Sequence, residues 1–405
     1  MKTDLCSQQL AGWPTATLES ISVRITSGGT PKRLTPGYYT DASGTPWVKT
    51  QELQDRILHD TEEHITDLAL RESSAKKLPR GTLLMAMYAA PTAGRMAILG
   101  REMACSQAAC AFQFDPAKAD VRFMFYQLLQ SRADLHRLAN GAAQQNLSAR
   151  VLRELEVLLP PLDEQRAIAA TLGALDDKIE SLQKSVRLAQ DLAQSTFKAW
   201  FVSGEHWGGS QPSDWKSVKL RDICELRRDA VKAGQFTDLP YVPVDALQMK
   251  NLALHNWRPN SEAQSSLVRF EEDDILIGAM RVYFHRVAIA PFAGLTRTTA
   301  FTLRPKQKSY LPFSLLLCNE ETTIEFAQTT SKGSTMPYAV WEGGLASMEV
   351  LLPPEEVLKD FARSVAPLIN FVKESGKQLQ ALSDLRDVLL PQLLSGRIRV
   401  GEYSA

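Results

Sequence analysis

The stretch Val157-Leu158-Leu159-Pro160-Pro161 returns 193 residues later as Val350-Leu351-Leu352-Pro353-Pro354. After each copy, apolar side chains recur at alternating spacings of four and three residues, which is the pattern of a coiled-coil helix. Two matched helices in one chain predict an internal pseudo-two-fold repeat. Double-stranded DNA is the commonest two-fold object that such a protein binds.

The residues predicted to form the coiled-coil seam occupy equivalent positions in the two helices. They are Ile168, Leu172, Leu175, Ile179, Leu182 and Val186 in the first helix, and Phe361, Val365, Leu368, Val372, Leu379, Leu382 and Leu389 in the second. Because a globular segment separates the helices, the second can return along the first, which predicts an antiparallel pair. The alternative is that each helix packs only on its own domain.

The globular segments that precede the helices also repeat. Trp13 opens the first, Trp215 opens the second, and matching β-rich runs broken by Gly and Pro follow each of them. The sequence therefore predicts an α+β fold with two mixed domains on small sheets. The predicted boundaries are 1–155 for domain one, 156–203 for the first helical region, 204–349 for a linker and domain two, and 350–405 for the second helical region and tail.

Composition excludes several classes of protein. The 405 residues are 44% hydrophobic and 23% charged, and no apolar run of the length of a membrane span occurs. The N-terminus lacks the apolar run of a signal peptide, and the five cysteines form no CxxC pair, so we expect a reduced, cytoplasmic protein without a structural metal. The net charge is zero, so any affinity for nucleic acid must come from local basic clusters or from a basic partner.

The motifs of the relevant enzymes do not occur in the sequence. An amino-methyltransferase needs an Asp/Asn-Pro-Pro-aromatic motif, but both Pro-Pro pairs here follow leucine. Gly28-Gly29-Thr30-Pro31-Lys32 is only superficially similar to a phosphate-binding loop, and the six histidines are scattered. We therefore predict no catalytic residues and no metal site in this chain.

One stretch resembles a known family closely. Leu159-Pro160-Pro161-Leu162-Asp163-Glu164-Gln165-Arg166-Ala167-Ile168, with Leu175-Asp176-Asp177-Lys178-Ile179-Glu180, is similar to the first conserved helical region of the specificity subunit of type I restriction–modification systems. Weaker similarity comes from Gly29-Thr30-Pro31, Pro46-Trp47-Val48 and the segment 141–147. The resemblance covers essentially the whole chain. The second copy departs from it, because Glu355-Glu356-Val357-Leu358-Lys359 lacks the Gln-Arg pair and domain two has no Gly-Thr-Pro.

The resemblance implies a scaffold in which two target-recognition domains read the two half-sites of a gapped DNA target. The helical rod, about 58 Å long at about 1.5 Å per residue, would set the spacer. Two methyltransferase subunits would dock on the rod and methylate adenine N6 with S-adenosylmethionine, and restriction subunits would add an ATP- and Mg-dependent nuclease. This chain itself would bind no cofactor.

Base reading needs hydrogen-bonding side chains on exposed loops. The candidates in domain one are Lys32, Arg33, Lys49, Gln51, Tyr88, Arg95, Gln107, Gln144, Gln145 and Asn146, and those in domain two are Arg227, Arg228, Lys250, Arg281, Tyr283, His285, Arg286, Arg297, Lys332, Ser334 and Thr335. The alternative is that these side chains form an ordinary solvated surface, with Tyr88 and Tyr283 in the core, and we expect His285 at the surface or in a groove.

Two other functions stay open at this point. The chain could be an enzyme with an unfamiliar active site, which transfer of methyl groups to DNA by this chain alone would reveal. It could also be a coiled-coil adaptor whose globular domains bind proteins. An adaptor would show no preference for duplex DNA at any salt concentration.

Overall fold

The computed structural model describes residues 12–41, 43–88, 92–140, 147–264 and 266–400. The chain forms two compact units: unit one is residues 1–176 with 385–405, and unit two is residues 177–384. Each unit therefore takes a part of both long helices. The domain boundaries drawn from the sequence stay predictions.

Unit one combines short strands with helices. Its strands are β1 (Thr15–Thr17), β2 (Ser22–Ser27), β3 (Tyr39–Thr40), β4 (Thr45–Val48), β5 (Arg56–Leu58), β6 (His64–Ile65), β7 (Leu83–Ala86), β8 (Met96–Leu99), β9 (Ala104–Cys105), β10 (Ala109–Phe114) and β11 (Glu156–Leu158). Its helices are α1 (Asp67–Glu72), α2 (Val121–Gln130), α3 (Arg132–Asn140), α4 (Ala149–Arg153) and the first part of α5 (Leu162–Phe201).

Unit two repeats this composition. Its strands are β12 (Lys216–Lys219), β13 (Cys224–Leu226), β14 (Ala230–Val231), β15 (Tyr241–Val242), β16 (Leu267–Phe270), β17 (Ile275–Gly278), β18 (Val287–Ile289), β19 (Gly294–Arg297), β20 (Ala300–Pro305) and β21 (Glu349–Leu352). Its helices are the last part of α5, α6 (Leu220–Ile223), α7 (Leu311–Cys318), α8 (Glu321–Thr329) and most of α9 (Glu355–Leu394), whose end belongs to unit one.

The sheets confirm the predicted α+β repeat. The order β2-β10-β7-β8-β5 in unit one matches β13-β20-β17-β18 in unit two, and the strand pair β1-β11 matches β12-β21. Individual backbone bonds match as well: Ala86 N donates to Arg95 O at 2.9 Å, and Gly278 N donates to Arg286 O at 2.9 Å. The same strand framework has thus been kept twice with different side chains.

The second sheets of the two units differ in order. Unit one has β3-β6-β4-β9, and unit two has β14-β16-β19-β15. The parallel pair is common to both, since Trp47 pairs with Ala104 and Tyr241 pairs with Leu295. The next strand is added to opposite edges of this pair: in unit one β6 pairs with β4, the first strand of the pair, and in unit two β16 pairs with β19, the second strand. The two units therefore share a framework and differ at its periphery.

The two long helices run antiparallel within each unit, as predicted. In unit two the ring centroids of Phe201, at the end of α5, and Phe361, near the start of α9, are 4.7 Å apart. In unit one Arg386 Nη1, near the end of α9, is 3.2 Å from Asp176 Oδ1 in the first half of α5. Also in unit one, Arg399 Nε, just after α9, is 3.7 Å from Glu164 Oε1 at the start of α5, as an antiparallel pairing requires.

The seam residues contribute to the cores of the units. Ile168 and Leu172 lie in the core of unit one with Leu389 at its edge, whereas Ile179, Leu182, Val186, Phe361, Val365, Leu368, Val372, Leu379 and Leu382 line the core of unit two, and Leu175 is half-buried. The core of unit two also contains side chains of its sheet and short helices. The helices are therefore paired with each other and packed on a globular domain at the same time, and the alternative of unpaired helices is wrong.

Small residues interrupt the seam of α9 where the helix approaches the domain of unit two. Ser375 is buried, and a Cβ on Gly376 would lie 2.3 Å from Leu254 O. One turn earlier, Lys373 Nζ is 2.7 Å from Asp273 Oδ1. The helix backbone can approach this closely only because no larger side chain stands at these positions.

Candidate nucleic-acid interface

The Gly28–Pro31 segment follows β2 and is packed too closely for side chains. A Cβ on Gly28 would lie 2.0 Å from Cys105 O. Trp47 covers the segment, since its Nε1 donates to Gly29 O at 2.9 Å. The glycines are therefore explained by close packing under Trp47, which is a structural role and not that of a phosphate-binding loop.

Arg33 lies over two aromatic rings of unit one. Its guanidinium carbon is 4.5 Å from the ring centre of Tyr39 and 5.3 Å from that of Trp47. Arg33 Nη1 is 2.6 Å from Glu63 Oε2, and Lys49 Nζ is 3.1 Å from Glu63 Oε1. Burial alone would raise the pKa of Glu63, but hydrogen bonds from Arg33 and Lys49 lower it. Lys49 Nζ is also 2.9 Å from Glu62 Oε2, so these two predicted DNA-binding cations are paired with carboxylates of their own unit.

The remaining candidates in unit one differ in exposure. Lys32, Gln51 and Gln107 are exposed, Tyr88 is 42% exposed and so lies outside the core, and Arg95 is half-buried. Among the described residues, neither Lys32 nor Arg95 has a carboxylate partner. Gln144, Gln145 and Asn146 lie outside the described residues.

Three predicted cations of unit two are also paired with carboxylates. The pairs are Arg227–Asp229 at 2.9 Å, Arg228–Glu342 at 3.5 Å and Lys250–Glu321 at 3.5 Å. Exposed pairs of this kind contribute little stability, so their main effect is to reduce the local positive charge. Arg297 on β19 is exposed and has no such partner in the described part of the chain.

Two neighbouring loops of unit two carry most of the other candidates. Loop A, residues 279–286, follows β17, and loop B, residues 332–338, follows α8. Arg281 N in loop A donates at 2.8 Å to a backbone carbonyl of loop B. Loop B is closed at its base by two backbone hydrogen bonds of 2.9 Å between Lys332 and Tyr338. These bonds hold the two loops together at the surface.

Loops A and B bring five candidates into one region: Arg281, Tyr283, Lys332, Ser334 and Thr335. Tyr283 is 44% exposed, and the other four are exposed as well. Within the described residues, neither Arg281 nor Lys332 has a carboxylate partner. This region therefore combines accessible side chains with positive charge that its own unit leaves uncompensated.

His285 is buried, so the prediction that it lies at the surface or in a groove is wrong. Only 5% of the residue is exposed, and its Nε2 is 3.0 Å from Asn319 O. The neighbouring Arg286 is half-buried and its Nη1 donates to Val244 O at 3.1 Å. Both side chains hold loop A to the rest of the unit, and we remove His285 from the candidate DNA contacts.

The repeat relates this region to unit one. Ala339 N, directly after loop B, donates to Ala279 O at 2.8 Å, and Leu147 N donates to Met87 O at 3.0 Å. Leu147 therefore corresponds to Ala339 in the repeat. Arg95 and Arg286 also correspond, because each backbone carbonyl accepts a 2.9 Å bond from the last residue of the equivalent strand.

Sequence reasoning missed the role of Gln165, which is fully buried in unit one. Its Oε1 accepts a hydrogen bond from Asp120 N at 2.9 Å, and its Nε2 donates to Pro160 O at 2.9 Å and Lys118 O at 3.1 Å. The side chain thus ties the start of α2 to the start of α5. The second copy has Leu358 at the corresponding position. The absence of the Gln-Arg pair from the second copy was the sequence signal that Gln165 has a role specific to unit one.

The described residues contain no group of three or more His, Cys, Asp and Glu side chains that could hold a metal ion. Their four cysteines are free and buried, and burial raises the pKa of the Cys105 thiol to about 12. That thiol is protonated at neutral pH and hence a poor nucleophile. None of the helices in the described ranges is both long and apolar enough to cross a membrane.

The structure thus defines a protein with a duplicated α+β domain and two long paired helices. A sequence profile described as type I restriction modification DNA specificity domain matches residues 12–189 and 212–381. The chain therefore belongs to the family of type I restriction–modification DNA specificity proteins.

The relatives agree with this assignment. The type I restriction enzyme MjaIX specificity subunit of Methanocaldococcus jannaschii is 23% identical over 96% of this chain and 94% of its own length. The MjaVIII specificity subunit of the same organism is 21% identical over 69% of this chain and 71% of its own. The crystal structure of the S subunit from M. genitalium superposes with a TM-score of 0.63 at 18% identity, covering 94% of this chain and 96% of that one, which shows a shared fold.

Proposed function

We propose that this chain reads a bipartite, gapped DNA sequence, one half-site with each unit, and that it performs no catalysis itself. The observation that carries this proposal is the repeated framework, in which equivalent strands and equivalent backbone bonds recur in the two units. Loops A and B supply unpaired cations for phosphates and polar side chains for base edges. In this view the two units differ in their half-sites because they differ in loop side chains.

The chain would act as the scaffold of a complex in the cytoplasm. Two methyltransferase subunits would methylate adenine N6, and they would flip the target base out of the duplex to reach it. S-adenosylmethionine would be bound by those subunits, and ATP and Mg by the restriction subunits. Because phosphate contacts release counterions, DNA binding by the complex should weaken steeply as salt concentration rises.

Exposed apolar residues on the long helices support two docking sites for the methyltransferase. Leu188 and Leu192 on α5 are 70% and 57% exposed, and Leu385 and Val388 on α9 are 47% and 63% exposed. Leu192 and Leu385 are related by the same 193-residue offset as the two helices. Each pair lies on one helix face, because residues three or four apart point in similar directions. Apolar side chains left in water on an ordered helix indicate a surface that a partner covers.

We expect Leu192→Asp and Leu385→Asp each to weaken binding of one methyltransferase subunit by at least about ten-fold. Each substitution places a charge where the bound subunit would otherwise bury an apolar side chain. The complex would then carry one methyltransferase subunit instead of two, which native mass spectrometry measures directly. Val23→Asp, at an exposed apolar position on β2, is the matched control and should leave two subunits bound. Retention of both subunits by the Leu192 and Leu385 variants would contradict these docking sites.

Genome-wide mapping of N6-methyladenine tests the proposed function. In the source cell, deletion of this gene should remove methylation at every copy of one gapped motif while other methylated motifs persist. Restoring the gene on a plasmid should restore the motif. An unchanged methylation pattern in a cell that expresses the partner methyltransferase would overturn the proposal.

A further inference from the structure

Outside the long helices, the exposed apolar side chains of unit two are concentrated at loops A and B. Between residues 205 and 354, the described residues include five large apolar side chains that are exposed. Three of them, Tyr283, Met336 and Tyr338, lie in these two loops, at 44%, 50% and 47% exposure. The other two are Met249 and Leu351. A protein surface rarely exposes several neighbouring apolar side chains unless a ligand or partner binds there.

Loop B presents Met336 on a closed turn. The turn is joined at its base by the two bonds between Lys332 and Tyr338, and Gly333 adopts a positive φ of 88° that allows the sharp bend. A Cβ on Gly333 would lie 3.1 Å from Met336 O, so the backbone of the turn is close-packed. Met336 is therefore held away from the core by its own backbone.

The apolar side chains are flanked by positive charge. Arg281 N donates to the carbonyl of Pro337, the residue after Met336, and Lys332 lies at the base of the same turn. Neither cation has a carboxylate partner among the described residues. An exposed apolar side chain in the same pair of loops as two available cations is complementary to the DNA major groove, where the thymine 5-methyl group lies between the phosphates of the two strands.

We propose that Met336 contacts the 5-methyl group of a thymine in the half-site bound by unit two, with Arg281 and Lys332 on flanking phosphates. This inference rests on the proposed function and adds to it a residue that determines specificity. The contact is one of shape and apolar area, so it distinguishes thymine from uracil, which lacks only the methyl group.

The test uses the complete complex and synthetic duplexes that carry the gapped motif found by methylation mapping. Each thymine of the second half-site is replaced in turn by uracil, which removes the methyl group and keeps every hydrogen-bonding group. The wild-type complex should lose about four-fold in affinity at one position, as expected for one methyl contact. A complex with Met336→Ala should bind the thymine and uracil duplexes equally at that position.

Met249→Ala is the matched control, because Met249 is 56% exposed on another loop of unit two. It should keep the wild-type preference for thymine. The inference is overturned if the Met336→Ala complex discriminates thymine from uracil as the wild type does. It is also overturned if that variant loses a methyltransferase subunit, which would mean that loop B faces a protein. Failure of the proposed function gives a different result, since no gapped motif would then depend on this gene.

Discussion

Replacing Phe361 with alanine should lower the free energy of unfolding by about 3–5 kcal/mol, the usual cost of removing a buried phenylalanine ring. Phe361 is fully buried, and its ring centroid is 6.1 Å from that of Phe197, 5.6 Å from Trp200 and 4.7 Å from Phe201. The substitution would leave a cavity between α5 and α9 that these rings cannot fill. Urea unfolding followed by tryptophan fluorescence measures the change, because Trp200 lies in this cluster.

Phe371→Ala removes the same ring from the same helix and is the control. Phe371 is 41% exposed, so we expect a loss of less than about 1 kcal/mol. If the two variants were equally stable, the packing of the helix pair through Phe361 would be refuted.

Gln165→Leu should lower the free energy of unfolding by about 2–4 kcal/mol, although leucine is more hydrophobic and similar in size. The substitution leaves the Asp120 amide and the Pro160 and Lys118 carbonyls without the partner that Gln165 supplies. A buried polar group without a hydrogen bond destabilises the folded state, because nothing offsets the free energy of removing it from water. Chemical denaturation followed by circular dichroism gives the value.

The control for Gln165 is Gln183→Leu at an exposed position further along α5, where we expect a change within about 0.5 kcal/mol. A similar decrease in the free energy of unfolding in both variants would mean that glutamine stabilises this helix through helix propensity and not through the buried hydrogen bonds. The second copy carries Leu358 in a site where the chain makes no such bonds, so leucine is tolerated there.

Much of the architecture could be predicted because its signals are local. The 4-3 spacing of apolar residues predicted both long helices. Gly204 and Gly396, which follow the ends of these helices, adopt positive φ values of 70° and 71°, as is common for glycine after a helix. The repeat itself required only a comparison of the chain with its own second half. The antiparallel direction followed from the globular domain between the helices.

The DNA-contacting residues could not be predicted to the same depth. Whether a cation is available for phosphate depends on carboxylates that are distant in sequence, such as Glu63 for Arg33 and Glu321 for Lys250. Burial of His285 likewise depends on Asn319, which comes from a different segment. Met336 was overlooked because a methionine in a loop has no sequence signal that distinguishes a surface contact from a core residue.

The sequence by itself determined that this protein is a twofold repeat of a mixed domain and a long helix, because periodicity and self-similarity depend only on the order of residues in the chain. Only the tertiary structure decided which cations are left unpaired, which glutamine is buried and which loops meet. Those outcomes depend on distances between side chains that the fold brings together from far apart in sequence, and such distances have no local counterpart.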